Sequence, residues 1–96
     1  MGTFHSHKGE LHGITVIVDT NDTRVFVGRC DTVVPEGVIL LDGDVHDEAK
    51  PGKDGQPVTK DTFLTKAAKF GVWKRFDRVL VPTEQVASIR RLGELL

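Results

Sequence analysis

The sequence predicts a mainly β domain, a small antiparallel barrel of five strands with one helix inserted before the fourth strand. Short β-branched runs alternate with turn residues along the chain, and a single segment has helical periodicity. Gly28 lies inside the second run and predicts a bend or bulge that would let this strand curl. At 96 residues the chain fits one domain. We expect residues 13–96 to form it and residues 1–12, which lack periodicity, to be a loose N-terminal arm.

The predicted strands are short and are bounded by turn chemistry such as Thr-Asn-Asp-Thr at residues 20–23. They cover residues 14–19, 24–30, 38–41, 78–81 and 86–92, and the third continues into a polar alternation up to residue 47. Since side chains alternate along a strand, Phe26 and Cys30 should face one side of the sheet and Val25 and Val27 the other.

The predicted helix covers residues 60–70, with Thr59 or Asp61 as its N-cap. Phe63, Ala67 and Phe70 recur at the i, i+4, i+7 spacing of an apolar stripe. We expect this stripe to cover an open end of the sheet.

The order of these elements resembles the Sm-like branch of the SH3-like barrels. The resemblance covers residues 14–45 and 78–92, and the strand 24–30 with Gly28 before its bend carries much of it. It implies the barrel fold. The polar residues with which that family holds RNA bases correspond to positions near Val34 and Val38, which are apolar here. The resemblance therefore implies the family's fold and not its RNA site.

The composition indicates the cellular compartment of the protein and the classes of partner it can have. A net charge of −1 argues against a strongly basic nucleic-acid module. A single cysteine, Cys30, cannot form an intramolecular disulfide, which favours a reducing compartment. No run approaches the roughly 20 apolar residues of a membrane-spanning helix. We therefore expect a cytoplasmic protein without a membrane partner.

Charge is distributed unevenly along the chain. Residues 1–59 hold five cations and ten anions, whereas residues 60–91 hold eight cations and three anions. An acidic and a basic surface on one molecule would suit head-to-tail contacts between copies that close into rings. We therefore expect the protein's partner to be itself, in a homo-oligomer. The alternative is a monomer whose charges are simply distributed over its surface.

A second candidate feature is the alternation of Asp42, Asp44 and His46 at the end of the third strand. Alternate side chains of a strand share a face, so two carboxylates and an imidazole would converge as ligands of a divalent metal. His5 and His7 of the arm would add nitrogen ligands. The other interpretation is a solvated strand end that continues into an acidic loop.

A third candidate feature is a basic set that would contact nucleic-acid phosphates. Its members are Lys74, Arg75, Arg78, Arg90 and Arg91. Trp73 and Phe76 lie among them and would stack on bases. The alternative, which the near-zero net charge favours, is that both aromatic residues anchor the core while the cations form a solvated rim.

Catalytic signatures are weak in this sequence. Cys30 with His12 or His46 would make a nucleophile and base, but Cys30 lies in an apolar strand, which favours inert packing. The sequence therefore predicts a protein that is not an enzyme and needs no cofactor. Its expected function is a non-catalytic binding or assembly module, with a nucleic-acid-binding regulator and a metal-binding protein as alternatives.

Overall fold

The computed structural model of the protein describes residues 11–52 and 54–95, and five strands and the α-helix Lys60–Phe70 lie within these ranges. In chain order the elements are β1 (Thr15–Thr20), β2 (Arg24–Val34), β3 (Gly37–Asp47), α1 (Lys60–Phe70), β4 (Phe76–Pro82) and β5 (Val86–Arg91). Two 3-10 turns, Thr83–Gln85 and Leu92–Leu95, precede and follow β5. Every predicted strand and the predicted helix are present, with β2, β3 and β4 longer than expected.

All five strands belong to one antiparallel sheet with the order β4-β3-β2-β1-β5. The prediction of a mainly β antiparallel domain with one inserted helix is thus confirmed. Within the described ranges no pairing joins β4 to β5. The sheet is open, with these two strands at its edges.

Glycines mark the places where the long strands β2 and β3 come closest. The β2–β3 register shifts between Val27 and Arg29, at the bulge that Gly28 predicted. A Cβ on Gly28 would lie 3.2 Å from the carbonyl oxygen of Leu41. Glycine here allows the close approach of two backbones that a bent sheet requires.

The sheet is buried on both faces. An inner core on one face contains the buried side chains of Val16, Val18, Phe26, Cys30, Val38, Leu40 and Val81. An outer core on the other face contains those of Ile17, Val25, Val27, Leu64, Ala67 and Leu92. The predicted division of β2, with Phe26 and Cys30 on one side and Val25 and Val27 on the other, is confirmed.

The helix α1 covers the outer face of the sheet. The Thr59 hydroxyl oxygen accepts a hydrogen bond from the Thr62 N–H (3.1 Å), so the first of the two predicted caps is correct. The stripe was predicted to cover an open end of the sheet, which is wrong: Leu64 and Ala67 pack in the outer core. Phe70, the last member of the predicted stripe, is 80% exposed.

Both ends of the domain differ from the prediction. The residue expected to end the fifth strand, Leu92, instead begins a 3-10 turn and is buried in the outer core beside α1. Leu11 packs against the inner core although it was assigned to the loose arm. Residues 1–10 of that arm lie outside the described residues.

Candidate functional site

A groove of about 260 Å³ lies between the C-terminal end of α1 and the segment that leads to β4. Its lining includes Phe63, Ala67 and Val72, which also belong to or pack against the outer core. Phe70 and Trp73 complete its apolar lining. Their side chains are 80% and 78% exposed, the highest values among the large apolar residues of the described chain.

Two anchors explain why Trp73 lies outside the core. Gly71, with φ of 93°, takes a left-handed backbone that favours glycine and turns the chain away from α1. Four residues later the Arg75 N–H donates to the carbonyl oxygen of Gly43 (2.7 Å), which fixes the segment to β3. Val72 packs against the outer core between these anchors, while its neighbour Trp73 projects into solvent.

The favoured interpretation of the two aromatic residues is therefore wrong for one of them. Phe76 is partly buried and packs against the inner core, as a core anchor should. Trp73 is not a core anchor, because the turn at Gly71 and the bond to Gly43 leave it on the surface. The groove consequently has an exposed indole beside its cationic residues.

Four cationic residues lie in or next to this groove. Lys66 and Arg75 line it, and Lys69 and Lys74 flank Phe70 and Trp73 in the chain. Within the described residues, no carboxylate lies within 4 Å of the amino group of Lys66 or Lys69. These two charges at the end of α1 are therefore free to meet an anionic ligand.

The other two cations have partners that hold them in place. Arg75 Nε lies 3.6 Å from a carboxylate oxygen of Asp44, whose residue is 6% exposed. Lys74 Nζ lies 2.8 Å from Asp77 and 3.6 Å from Asp42. The hydrogen bond to Asp77 raises the pKa of Lys74.

The structure does not gather the predicted nucleic-acid residues into one patch. Lys74 and Arg75 lie beside the groove, and Arg78 follows in β4. Arg90 and Arg91 lie in β5, and three strands separate β5 from β4 in the sheet. Sequence reasoning missed Lys66, Lys69 and Phe70. The sequence does indicate that Phe70 could be exposed, because it is the last residue of the predicted helix and Gly71 follows it.

The predicted metal ligands do not come together. The described residues contain no group of three His, Cys, Asp or Glu side chains placed to hold a metal ion. Asp42 has a left-handed φ of 51°, which breaks the alternation on which the prediction depended, and it pairs with Arg29 at 3.0 Å. Asp44 instead accepts from the Val45 N–H at 2.8 Å.

The third predicted ligand, His46, is held by α1 and the preceding loop. Its ring stacks on Phe63 with 4.9 Å between centroids, and its Nε2 lies 2.7 Å from the carbonyl oxygen of Val58. His5 and His7, the additional ligands from the arm, lie outside the described residues.

Cys30 is buried in the inner core, as predicted. Burial raises the pKa of its thiol, which disfavours the thiolate that a nucleophile needs. The proposed bases are engaged elsewhere, because His12 Nδ1 contacts the carbonyl oxygen of Asp31 and His46 contacts Val58.

No protein-family model matches the chain, and no curated protein matches it. Among the described residues, none of the helices combines the length and the apolar composition of a membrane-spanning segment.

Proposed function

We propose that the protein is a non-catalytic assembly module, a homo-oligomer in which β4 of one copy pairs with β5 of the next. The observation that carries this proposal is the open sheet, which ends in β4 on one side and β5 on the other. Unpaired backbone groups on an edge strand are a template for pairing with another chain. Head-to-tail pairing that closes into a ring leaves no free edge.

The backbone groups that β4 offers can be read from its register. The Thr83 N–H donates to the carbonyl oxygen of Glu36 (3.0 Å), which sets the phase of the β3–β4 ladder. Because bonding alternates along an antiparallel ladder, Arg78 and Leu80 direct their N–H and C=O groups to the outer edge. Pro82, at the next outward position, has no N–H to offer. Leu80 is also 40% exposed, so apolar surface accompanies the free backbone.

The same alternation defines the outer edge of β5. The Cys30 N–H donates to the carbonyl oxygen of Ile14 (2.8 Å), which sets the phase of the β1–β2 ladder and hence the side of β1 that faces β5. Ile89 and Arg91 are thereby the outward positions. The Glu94 carboxylate already accepts the Arg91 N–H at 3.0 Å. The backbone of Ile89 is the open part of this edge.

An apolar gap next to β5 supports the same proposal. A cavity of about 160 Å³ lies between Val86 and Ile89 of β5 and the tip where β2 meets β3, including Val33 and Val38. A neighbouring copy on β5 would exclude water from this gap, and burial of apolar surface contributes about 25 cal/mol per Å². In such an assembly the sheets of neighbouring copies join into one continuous sheet around the ring.

A pair of substitutions at Leu80 tests the proposal. Proline at this outward position removes the edge N–H without breaking a bond to β3, and Pro82 shows that β4 accepts the ring in this register. Leu80→Ala removes the side chain but keeps the N–H, and is the matched control. We expect the wild type to be a closed ring of more than two subunits by native mass spectrometry.

In this experiment we expect Leu80→Pro to yield monomers and Leu80→Ala to retain the ring, with unchanged far-UV circular dichroism in both. A monomeric wild-type protein would overturn the proposal. A wild-type dimer would contradict the ring and would indicate symmetric pairing instead, β4 with β4 or β5 with β5. Equal dissociation of both variants would assign the contact to the Leu80 side chain and not to strand pairing.

A further inference from the structure

We propose that the groove at the end of α1 binds single-stranded nucleic acid, with bases stacked on Phe70 and Trp73 and phosphates held by Lys66 and Lys69. The aromatic residues and lysines that carry this inference lie outside β4 and β5, the strands that the proposed self-association uses. The inference therefore does not depend on the proposed self-association.

Exposure of the two aromatic rings is the first argument. Phe70 and Trp73 are 80% and 78% exposed and line the same groove, so both rings offer large apolar surfaces to solvent. Exposed apolar side chains that line one groove and are rimmed by polar residues mark an interaction site. Aromatic side chains bind single strands by stacking on bases, and this works for any base because every base has a π face.

Charge is the second argument. The groove and its rim hold cations, and within the described ranges Lys66 and Lys69 have no carboxylate at ion-pair distance. The carboxylate in the lining, Asp44, lies 3.6 Å from Arg75, which offsets its repulsion of phosphate. A positive groove with aromatic platforms is the arrangement that follows a single-stranded backbone.

The packing of α1 argues against an anionic membrane as the occupant. A helix that lies on a membrane inserts an apolar face into the headgroup region. The apolar face of α1 is already used, because Leu64 and Ala67 are buried against the sheet. What remains exposed is two separate rings interleaved with cations, which fits stacked bases better than lipid.

The chain contains one tryptophan, so its fluorescence reports this site directly. The probe is an oligothymidylate of about 12 nucleotides, within the range of 4–16 nucleotides that single-strand sites cover. We expect it to quench Trp73 fluorescence with saturation. Inorganic polyphosphate, an anion without bases, serves as the control and should quench weakly or not at all.

Substitutions locate the binding, measured by fluorescence anisotropy of the labelled strand. Trp73→Ala and Phe70→Ala should each weaken binding about fivefold or more, as loss of base stacking does. Lys66→Ala with Lys69→Ala should weaken binding and flatten its salt dependence. The double variant Arg90→Ala with Arg91→Ala is the charge-matched control in β5. It should leave the affinity and its salt dependence nearly unchanged. These side chains are exposed, so the fold should persist.

Several outcomes would overturn the inference. No quenching by the oligothymidylate, or equal loss of affinity in the β5 control, would do so. Equal quenching by polyphosphate or by polyglutamate would assign the groove to polyanions or acidic peptides. A blue shift of Trp73 emission on vesicles of phosphatidylserine and phosphatidylcholine, without binding of the strand, would assign it to a membrane surface. Because Leu80→Pro should still bind the strand, failure of self-association and failure of this inference are distinguishable.

Discussion

At the scale of single residues, Gly43 determines how closely three strands approach one another. A Cβ built there would lie 2.2 Å from the carbonyl oxygen of Val27 and 2.7 Å from Cζ of Phe76. Its carbonyl oxygen also accepts the Arg75 N–H that fixes the groove segment. The residue therefore links the bend of the sheet to the position of Trp73.

We predict that Gly43→Ala lowers the free energy of unfolding by about 2 kcal/mol or more, because backbone and a packed ring must move to admit a methyl group. Gly93→Ala is the control, since a Cβ at Gly93 meets nothing within 4 Å. Urea unfolding followed by circular dichroism measures both variants. Equal stability of Gly43→Ala and the wild type would show that the strands separate freely at this point.

Residue-scale features differ in how far the sequence predicts them. The burial of Cys30 and the bulge at Gly28 follow from local pattern, because each depends on one strand and its neighbours. The exposure of Trp73 does not, since it results from a turn at Gly71 and a bond to Gly43, a residue distant in the chain. The failed convergence of Asp42, Asp44 and His46 has a similar cause, the left-handed backbone of a non-glycine residue.

At the scale of elements, the β1–β2 turn depends on the carboxylate of Asp22. It forms an ion pair with Arg24 at 3.0 Å and accepts the Thr20 hydroxyl proton and the Arg24 N–H. The Arg24 guanidinium, followed by the Thr20 hydroxyl, holds the pKa of Asp22 far below its ordinary value of 3.8. Charge on this side chain therefore favours the folded turn.

We predict that Asp22→Asn lowers the melting temperature at pH 7 and that the difference from wild type shrinks as the pH falls below about 4. The sign follows from linkage: a carboxyl group with a lowered pKa in the folded state stabilises it above the unfolded pKa, and this contribution is lost on acidification. Glu36→Gln, an exposed carboxylate, is the control. Thermal unfolding across pH measures both; a difference that stays constant with pH would contradict the argument.

Elements themselves are predicted well and their packing is not. Helix α1 has a cap, a stripe and a glycine stop that are all local, so its bounds follow from the sequence. Which face of the sheet it covers depends on the side chains of Val25 and Val27, and both faces of β2 read as apolar. The local sequence pattern cannot determine which of the two apolar faces the helix covers.

At the scale of the whole molecule, the sheet separates two cores that are stabilised by different parts of the chain. The buried side chains of the inner core all lie in strands, whereas the outer core also contains side chains of α1 and the C-terminal turn. Closure of the five strands into a barrel was expected from their number and order. Strand count does not determine closure, which requires the edge strands to pair, and β4 and β5 lie at opposite edges of this sheet.

Leu92 tests whether the two cores unfold together. Its side chain is 9% exposed and joins the C-terminal turn to α1 in the outer core. We predict that Leu92→Ala lowers the free energy of unfolding by about 2–3 kcal/mol, the lower part of the range for buried leucines. Leu95→Ala, at a residue that is 39% exposed in the same turn, is the control and should cost much less.

Two probes followed in the same denaturant titration reveal the cooperativity of the molecule. Trp73 fluorescence reports the segment that follows α1 and lines the groove, and far-UV circular dichroism is dominated by the sheet and helix together. Because both cores share the same strands, we expect the two transitions of Leu92→Ala to shift by the same amount and to coincide. A fluorescence transition that precedes the dichroism transition would show that the helix layer, with its groove, unfolds separately from the sheet.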